Sequence, residues 1–177
     1  MTEAGAATAS GRAKLHEWLL IAAIVVADQV TKHLVVQRLE LHESITIIPG
    51  LLDFTHVRNT GAAFGLLNAV DFPGKPLVIA LVALVALIVM ASYAAQLPPA
   101  HRIARAGLAL VLGGAAGNLV DRIRQGYVVD YVDVYRGDWH FWAFNVADAA
   151  ITVGVTLIVL DLLWPRRPAS EPVVREL

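Results

Sequence analysis

Four long apolar segments dominate the pattern of hydrophobic and polar positions along the chain. The clearest covers residues 77–95, which contain no charged side chain. A helix of this length crosses the hydrocarbon core of a bilayer. The other segments cover residues 15–36, 103–120 and 144–164. The pattern predicts four transmembrane helices. A buried bundle in a soluble protein is the less favoured interpretation, because so short a chain contains four such segments.

The first apolar segment, 15–36, follows Arg12 and Lys14 and could be interpreted as a cleaved export signal. Its helical pattern continues through Asp28 and Lys32, further than the apolar region of a signal peptide extends. We therefore expect an uncleaved first membrane helix.

Two longer connections, residues 37–76 and 122–142, lie on the same side of the predicted helices. Residues 45–48 and 52–57 are separated by a Pro-Gly turn, which is typical of a β-hairpin. Residues 127–135 are rich in β-branched and aromatic side chains, which favours an extended strand. These connections predict a small β element outside the membrane.

Composition agrees with a membrane protein of a single domain over residues 1–177. The chain is 57% hydrophobic and only 16% charged, whereas a soluble domain of this size has more charge. Its net charge of −1 gives no reason to expect a nucleic-acid partner. The absence of cysteine excludes a disulfide, a thiolate nucleophile and cysteine-bound zinc. We expect an all-α polytopic membrane protein with a small extracytoplasmic β element.

The distribution of basic residues predicts the orientation. With four helices, both termini lie on one side of the membrane. Basic residues are equally numerous on the two sides, but on the side of the termini Lys14, Arg102 and Arg105 lie close to helix ends, where the positive-inside rule applies. We therefore expect both termini in the cytoplasm and the two long connections outside.

Polar side chains at membrane depth are costly and mark candidate functional residues. They gather toward the outer ends of the helices and in the outer connections. They are Asp28, Lys32, Asn59, Asn118, Asp121, Asp130, Asn145 and Asp148. Two Asn-x-x-Asp units occur among them, and this spacing puts an amide on the same helical face as a carboxylate that it could orient. The alternative is that these residues only join helices to one another.

The inventory of side chains argues against most hydrolytic sites. The six histidines show no H-E-x-x-H spacing, and no serine lies in a G-x-S-x-G context. Hydrolysis would then depend on two aspartates, one acting as a general base and the other, protonated, donating to the scissile carbonyl. Spacing alone leaves five candidates for this pair: Asp28, Asp121, Asp130, Asp133 and Asp148.

Five blocks, in order, resemble the motifs of lipoprotein signal peptidases, and the likeness extends over residues 27–154. The blocks are Asp28–Lys32 (DQVTK), Arg58–Gly65 (RNTGAAFG), Gly113–Arg122 (GGAAGNLVDR), Val128–Tyr131 (VVDY) and Ala143–Asp148 (AFNVAD). The sequence departs from the family pattern at Trp142, where proline is usual, and at Ala149, where serine is common. These departures concern the shape of the local loop.

The resemblance implies a membrane aspartic endopeptidase of the bacterial inner membrane, with its site near the outer face. It would remove the signal peptide of a diacylglyceryl-modified prolipoprotein by cutting before the lipidated cysteine. Its partners would be that substrate and membrane lipid, and neither a metal nor another cofactor is expected.

By position in the motifs, the resemblance also implies roles for individual residues. Asp130 and Asp148 would be the catalytic pair. Asp28 and Lys32 lie four residues apart on one helical face and are expected to hold the fold together, with contact to the substrate as the less favoured role. Residues that contact substrate or support the pair would be Asn59, Gly61, Asn118, Asp121, Arg122 and Asn145. Asp133 is expected to be a solvated strand residue, and Asp161 an interfacial one on the cytoplasmic side.

Three alternatives fit the sequence less well. A G-x-G-D intramembrane protease would need a Gly-x-Gly-Asp motif, which the chain lacks. A proton- or cation-coupled carrier could use Asp28, Asp121 and Asp148 as a relay, but it should also have polar groups in the inner half of the helices, which is almost bare. A structural scaffold would leave the aspartate cluster unexplained.

Overall fold

The computed structural model describes residues 3–61 and 70–163. Its elements in chain order are α1 (Glu3–Arg38), β1 (Ser44–Ile48), β2 (Leu52–Asn59), α2 (Lys75–Gln96), α3 (Arg102–Gln125), β3 (Val128–Arg136), β4 (Trp139–His140) and α4 (Val146–Leu163). Within these ranges, four helical segments are long and apolar enough to cross a membrane: Lys14–Arg38, Lys75–Gln96, Arg102–Gln125 and Val146–Leu163. The four predicted helices are therefore confirmed.

The predicted end of the third helix is wrong by five residues, and the predicted start of the fourth is wrong by two. Helix α3 continues to Gln125, so Arg122 is helical and does not lie in the outer connection. The helix ends only at Gly126, which adopts the left-handed conformation (φ 79°) that favours glycine after a helix. Helix α4 begins later than predicted because Phe144 pairs with Val132 of β3. The predicted end of this helix, at residue 164, lies outside the described residues.

Helix α3 is the centre of the bundle, since 56% of the residues in its apolar 18-residue stretch are buried, compared with 6% in that of α2. Its glycines allow this close packing. A Cβ atom on Gly114 would overlap the carbonyl oxygen of Ala147 in α4, and one on Gly113 would lie 3.0 Å from Ile24 Cβ in α1. Small residues on one face of a membrane helix let a neighbouring helix approach closely.

The strands form one antiparallel sheet in the order β1-β2-β3-β4, which confirms the predicted hairpin and the predicted third strand. Val129 and Tyr131 of β3 pack against Val35 and Leu39 at the end of α1. This core attaches the sheet to one end of the helical bundle, which we call the sheet end.

An ion pair and a histidine–aspartate contact hold the opposite end of the bundle together. Arg105 of α3 donates two hydrogen bonds to the carboxylate of Glu17 in α1, at 2.6 and 2.7 Å, and a third to the carbonyl of Leu97. His101 Nδ1 lies 3.4 Å from Asp161 Oδ2 of α4. These contacts join α1, α3 and α4 far from the sheet.

Candidate active site

Two carboxyl groups lie at the polar end of a cavity of about 650 Å³ near the sheet end. They belong to Asp130 of β3 and Asp148 of α4. Three further polar side chains line the same end of the cavity: Asn59, Asn118 and Arg122. The rest of the wall is largely apolar and comes from α2, α4 and the segment before α4. Its members include Ile79, Val82, Ala86, Phe141, Trp142, Ile151 and Val153. The site therefore joins a polar head to an apolar channel.

Asp130 is held by two amide side chains. Its Oδ1 accepts a hydrogen bond from Asn145 Nδ2 at 2.7 Å, and its Oδ2 accepts one from Asn59 Nδ2 at 3.0 Å. The residue is only 3% exposed. This burial, together with the negative charge of Asp148, raises the pKa of Asp130 from the ordinary value of 3.8 to about 7, against the lowering effect of the two amides and of Lys32. Asp130 can therefore hold a proton near neutral pH.

Asp148 is fixed by the first turn of α4. Asn145 stands just before the helix, and its Oδ1 accepts the Asp148 N–H at 2.9 Å. In return, Asp148 Oδ2 accepts the Asn145 N–H at 3.3 Å, which makes a reciprocal capping box. The other carboxylate oxygen of Asp148 accepts a hydrogen bond from Asn118 Nδ2 at 2.7 Å. One oxygen of Asp148 is thus held by α3 and the other by the start of α4.

The expectation that each asparagine orients the aspartate three residues later is wrong for the first unit. The amide of Asn118 points to Asp148 on the neighbouring helix, whereas Asp121 faces α1. In the second unit, Asn145 binds Asp148 only through the capping box and gives its amide hydrogen to Asp130. The two amides therefore act across elements, because the packing of α3 between α1 and α4 sends their side chains to different neighbours.

A buried charged cluster lies behind the carboxyl pair. Lys32 Nζ is 2.8 Å from Asp28 Oδ2, 2.9 Å from Asp121 Oδ2 and 2.9 Å from Asn118 Oδ1. The second oxygen of Asp28 accepts the N–H of Ala147 at 3.0 Å, in the first turn of α4. The structure thus brings Asp28, Lys32 and Asp121 together with the carboxyl pair, but Asp121 is turned toward Lys32.

Gln29 is a member of this cluster to which the sequence analysis gave no role. Its Nε2 donates to Asp121 Oδ1 at 2.9 Å and to the carbonyl of Gly117 at 3.2 Å. The only signal for it was its place in the DQVTK block, since an isolated glutamine carries no charge pattern.

The rim of the cavity is shaped by the turn that follows β2. Gly61 N–H donates to Asn59 Oδ1 at 3.0 Å, which leaves the Asn59 amide hydrogens directed at Asp130. The carbonyl of Gly61 accepts a hydrogen bond from Arg122 at 3.2 Å. Arg122 also donates to the carbonyl of Asn118 at 3.3 Å. The last residues of the RNTGAAFG block, 62–65, lie outside the described residues.

The two aspartates expected outside the site are indeed apart from the cavity. Asp133 is less solvated than expected: its side chain is only 17% exposed and its Oδ2 lies 2.8 Å from His140 Nδ1. It stands opposite Asp53 in the sheet, and this cross-strand position covers it. Asp161 lies beside His101 at the other end of the bundle. Among residues 3–61 and 70–163, no group of three or more potential ligands is arranged to hold a metal ion.

The chain is similar in sequence to known proteins over most of its length. The family model described as signal peptidase (SPase) II matches residues 20–164. A lipoprotein signal peptidase of Geobacter metallireducens is 45% identical over 153 residues, which cover 86% of this chain and 93% of that protein. One from Symbiobacterium thermophilum is 46% identical over 152 residues, covering 86% and 96%.

Solved structures resemble this fold as well. A structure described as a bacterial membrane enzyme, solved at 2.3 Å by the in meso method, has a TM-score of 0.74 and 32% identity, and the match covers 84% of this chain and 87% of that chain. A second, at 1.9 Å, has a TM-score of 0.74 and 29% identity, with coverage of 84% and 92%.

Proposed function

This chain belongs to the signal peptidase (SPase) II family, and we propose that it is an aspartic endopeptidase that removes the signal peptide of lipid-modified prolipoproteins. It is a multi-pass protein of the bacterial inner membrane. The observation that carries the proposal is the pair formed by Asp130 and Asp148, which lies at the polar end of an apolar cavity and is held by separate hydrogen-bond donors.

The pair has the chemistry that peptide hydrolysis requires. Asp130 holds the proton and donates a hydrogen bond to the scissile carbonyl, while ionised Asp148 removes a proton from the attacking water. The tetrahedral intermediate collapses when Asp148 returns that proton to the leaving amine and the carbonyl is restored. The burial that raises the pKa of Asp130 to about 7 supports its assignment as the acid.

The shape of the cavity fits an amphipathic substrate. Apolar residues of α2 and α4 would contact the signal helix and the acyl chains, while the scissile bond reaches the polar end. Arg122, already bonded to the carbonyl of Gly61, lines that end and can donate to a peptide carbonyl. The substrate would move from the bilayer directly into the site. There it would be cut before the diacylglyceryl-modified cysteine.

The orientation follows from this assignment and from the basic residues near the helix ends. Both termini would lie in the cytoplasm, and the sheet end would lie at the outer face, where the signal peptide of an exported protein ends. The carrier alternative has no support from the family, and two of its three relay residues, Asp28 and Asp121, are paired with one buried lysine.

Cleavage of a purified lipidated prolipoprotein, scored by mass, tests the function. The masses of the two products should correspond to a single cut before the lipidated cysteine. The same precursor without the diacylglyceryl group should be cut far more slowly. Equal rates on both precursors would remove lipid recognition from the proposal.

Substitution of the pair tests the mechanism. Asp130→Asn and Asp148→Asn should each lower kcat by about 10²–10⁴-fold, and the double variant should be about as inactive as either single one, because the two act as a unit. Asp121→Asn should have an intermediate effect, and Asp133→Asn and Asp161→Asn should retain most activity. A folded Asp130→Asn protein with near wild-type activity, beside an inactive Asp121→Asn protein, would show that the pair is misassigned.

A further inference from the structure

Lys32 is a buried cation that the proposed chemistry does not use directly. It is 3% exposed and belongs to α1, whereas the reacting carboxyl groups lie on β3 and α4. An ammonium group has three hydrogen atoms to donate, and three oxygen atoms lie within 2.9 Å of Nζ. Since all its donors are used inside the protein, Lys32 has no hydrogen bond left to offer a substrate.

The first consequence of this arrangement concerns Asn118. An amide side chain accepts through oxygen and donates through nitrogen, and an ammonium group can only donate. Lys32 therefore requires Asn118 Oδ1 to face it, at 2.9 Å, which directs Nδ2 to Asp148 Oδ1 at 2.7 Å. If the Asn118 amide were flipped, its nitrogen would face the Lys32 ammonium group, donor against donor. Its oxygen would face Asp148 Oδ1, acceptor against acceptor. Lys32 thus selects the amide orientation that holds Asp148, together with Asn145 Nδ2, which donates to the same Asn118 oxygen at the longer distance of 3.3 Å.

The second consequence reaches Asp148 through the backbone of α4. Lys32 fixes Asp28 Oδ2 at 2.8 Å, and Asp28 Oδ1 accepts the N–H of Ala147 at 3.0 Å. Ala147 immediately precedes Asp148, so the first turn of α4 is tied to α1 through the same ammonium group. Two independent connections therefore lead from Lys32 to one member of the catalytic pair.

We propose that Lys32 is a positioning residue for cleavage: it holds Asp148 beside Asp130 through Asn118 and Asp28, and its fixed positive charge moves the pH range in which the pair is active downward. This inference rests on the proposed peptidase function and extends it to a residue that touches no reacting atom.

The charge of Lys32 acts among several others that face the pair. The positive groups are Lys32 on α1 and Arg122 on α3. The negative groups are Asp28 on α1 and Asp121 on α3, and Tyr131 on β3 is the neighbouring titratable hydroxyl. Lys32 opposes the effect of burial and lowers the pKa of Asp130. Its removal should therefore move the pH profile of cleavage upward.

Lys32→Met is the main test, because methionine retains much of the length and removes both the charge and the donors. We expect kcat to fall by about 100-fold, the loss that a displacement of about 1 Å in a catalytic group can produce, with KM changed much less. The pH profile of kcat should shift upward, because the charge that lowers the pKa of Asp130 is lost. Lys32→Arg retains the charge, so its profile should stay near that of the wild type although its kcat falls.

Two further variants separate positioning from folding. Arg105→Met breaks a part-buried ion pair at the opposite end of the bundle, and it should lower the melting temperature without moving the pH profile. In the neutral triple variant Asp28→Asn/Lys32→Met/Asp121→Asn, the formal charge of the cluster changes from −1 to 0, whereas Lys32→Met alone changes it to −2. The triple variant is expected to fold even where the single one does not, and its profile should shift downward.

The outcomes are distinguishable. Folded Lys32→Met or triple-variant protein with the pH profile and kcat of the wild type would overturn the proposal, as would a Lys32→Arg profile shifted as far as that of Lys32→Met. Non-additive losses of kcat in Lys32→Met and Asn118→Ala would support the connection through the amide. Failure of the wild-type protein to cut the lipidated precursor would instead refute the peptidase function itself.

Discussion

Replacing Asp130 with asparagine should change how the stability of the protein depends on pH. Burial, and then the charge of Asp148, raises the pKa of Asp130 from 3.8 to about 7. In the unfolded chain the same carboxyl group titrates near 3.9, so between about pH 4 and pH 7 the folded state binds more protons than the unfolded state. The free energy of unfolding therefore falls as pH rises through this window and levels off above it.

The structure sets the size of the effect. A rise of about three units corresponds to about 4 kcal/mol lost between pH 4 and pH 8, and Asp130 is only 3% exposed, so solvent screening reduces this little. Asparagine cannot ionise and avoids this loss. However, both oxygens of Asp130 accept from amides, and the amide nitrogen of asparagine would face a donor at a cost of about 1–3 kcal/mol. Asp130→Asn should be less stable than the wild type at pH 4 and more stable at pH 8.

Thermal unfolding of both proteins in detergent, followed by tryptophan fluorescence from pH 4 to pH 9, measures this crossover. At about 2–4 °C per kcal/mol for a chain of this size, the difference in melting temperature should change by about 8–16 °C over the range. Asp161→Asn is the matched control for loss of an aspartate at the other end of the bundle, where no crossover is expected. A difference for Asp130→Asn that stays constant from pH 4 to pH 8 would refute the account of a buried, protonated Asp130.

Other predictions follow from the packing and the orientation. Gly114→Val should abolish activity and lower the melting temperature, because its side chain would collide with the backbone of Ala147; a variant with wild-type stability would contradict the close contact of α3 and α4. Asn59→Ala should lower kcat with little effect on stability, since the substitution removes the 3.0 Å hydrogen bond from the rim of the cavity to Asp130. Cleavage assays over a range of pH measure the loss of kcat. Reporter fusions at Gln96 should indicate the cytoplasm and those at Asp71 the outside, and the reverse result would overturn the orientation.

Much of the architecture could be predicted from the sequence because it depends on local properties. Uninterrupted apolar segments predict membrane helices whatever their neighbours are, and the Pro-Gly pair between two β-branched segments specifies a hairpin. The small residues Gly113, Gly114 and Gly117 are also a local feature of the sequence, and they lie where α3 packs closely against α1 and α4. The end of α3 was misplaced because four of the five residues 121–125 are polar, and only the left-handed conformation at Gly126 ends the helix.

The arrangement of the site could be predicted only in part. Asp121 and Asp148 each lie three residues after an asparagine, so spacing cannot tell them apart. Their difference arises from tertiary structure: Asp121 meets Lys32 on one side of α3, and Asp148 reaches the cavity from α4. Asp130 was identified through the resemblance of the VVDY block to the family motif. The hydrogen-bond partners of Asn118 and Asn145 depend on how each helix is rotated against its neighbours, and no local sequence pattern indicates this rotation.

The hydrogen bonds to the two carboxyl groups have a consequence for biosynthesis. Asp130 is bonded to Asn59, which lies far earlier in the chain, and Asp148 is bonded to Asn118 of the preceding helix. Because α4 emerges from the ribosome after the other helices, the pair does not exist until α4 has inserted beside α3 and capped itself with Asn145. Under the proposed mechanism, a partly inserted chain would therefore lack the hydrolytic pair, and the last step of insertion would also be the step that completes the active site.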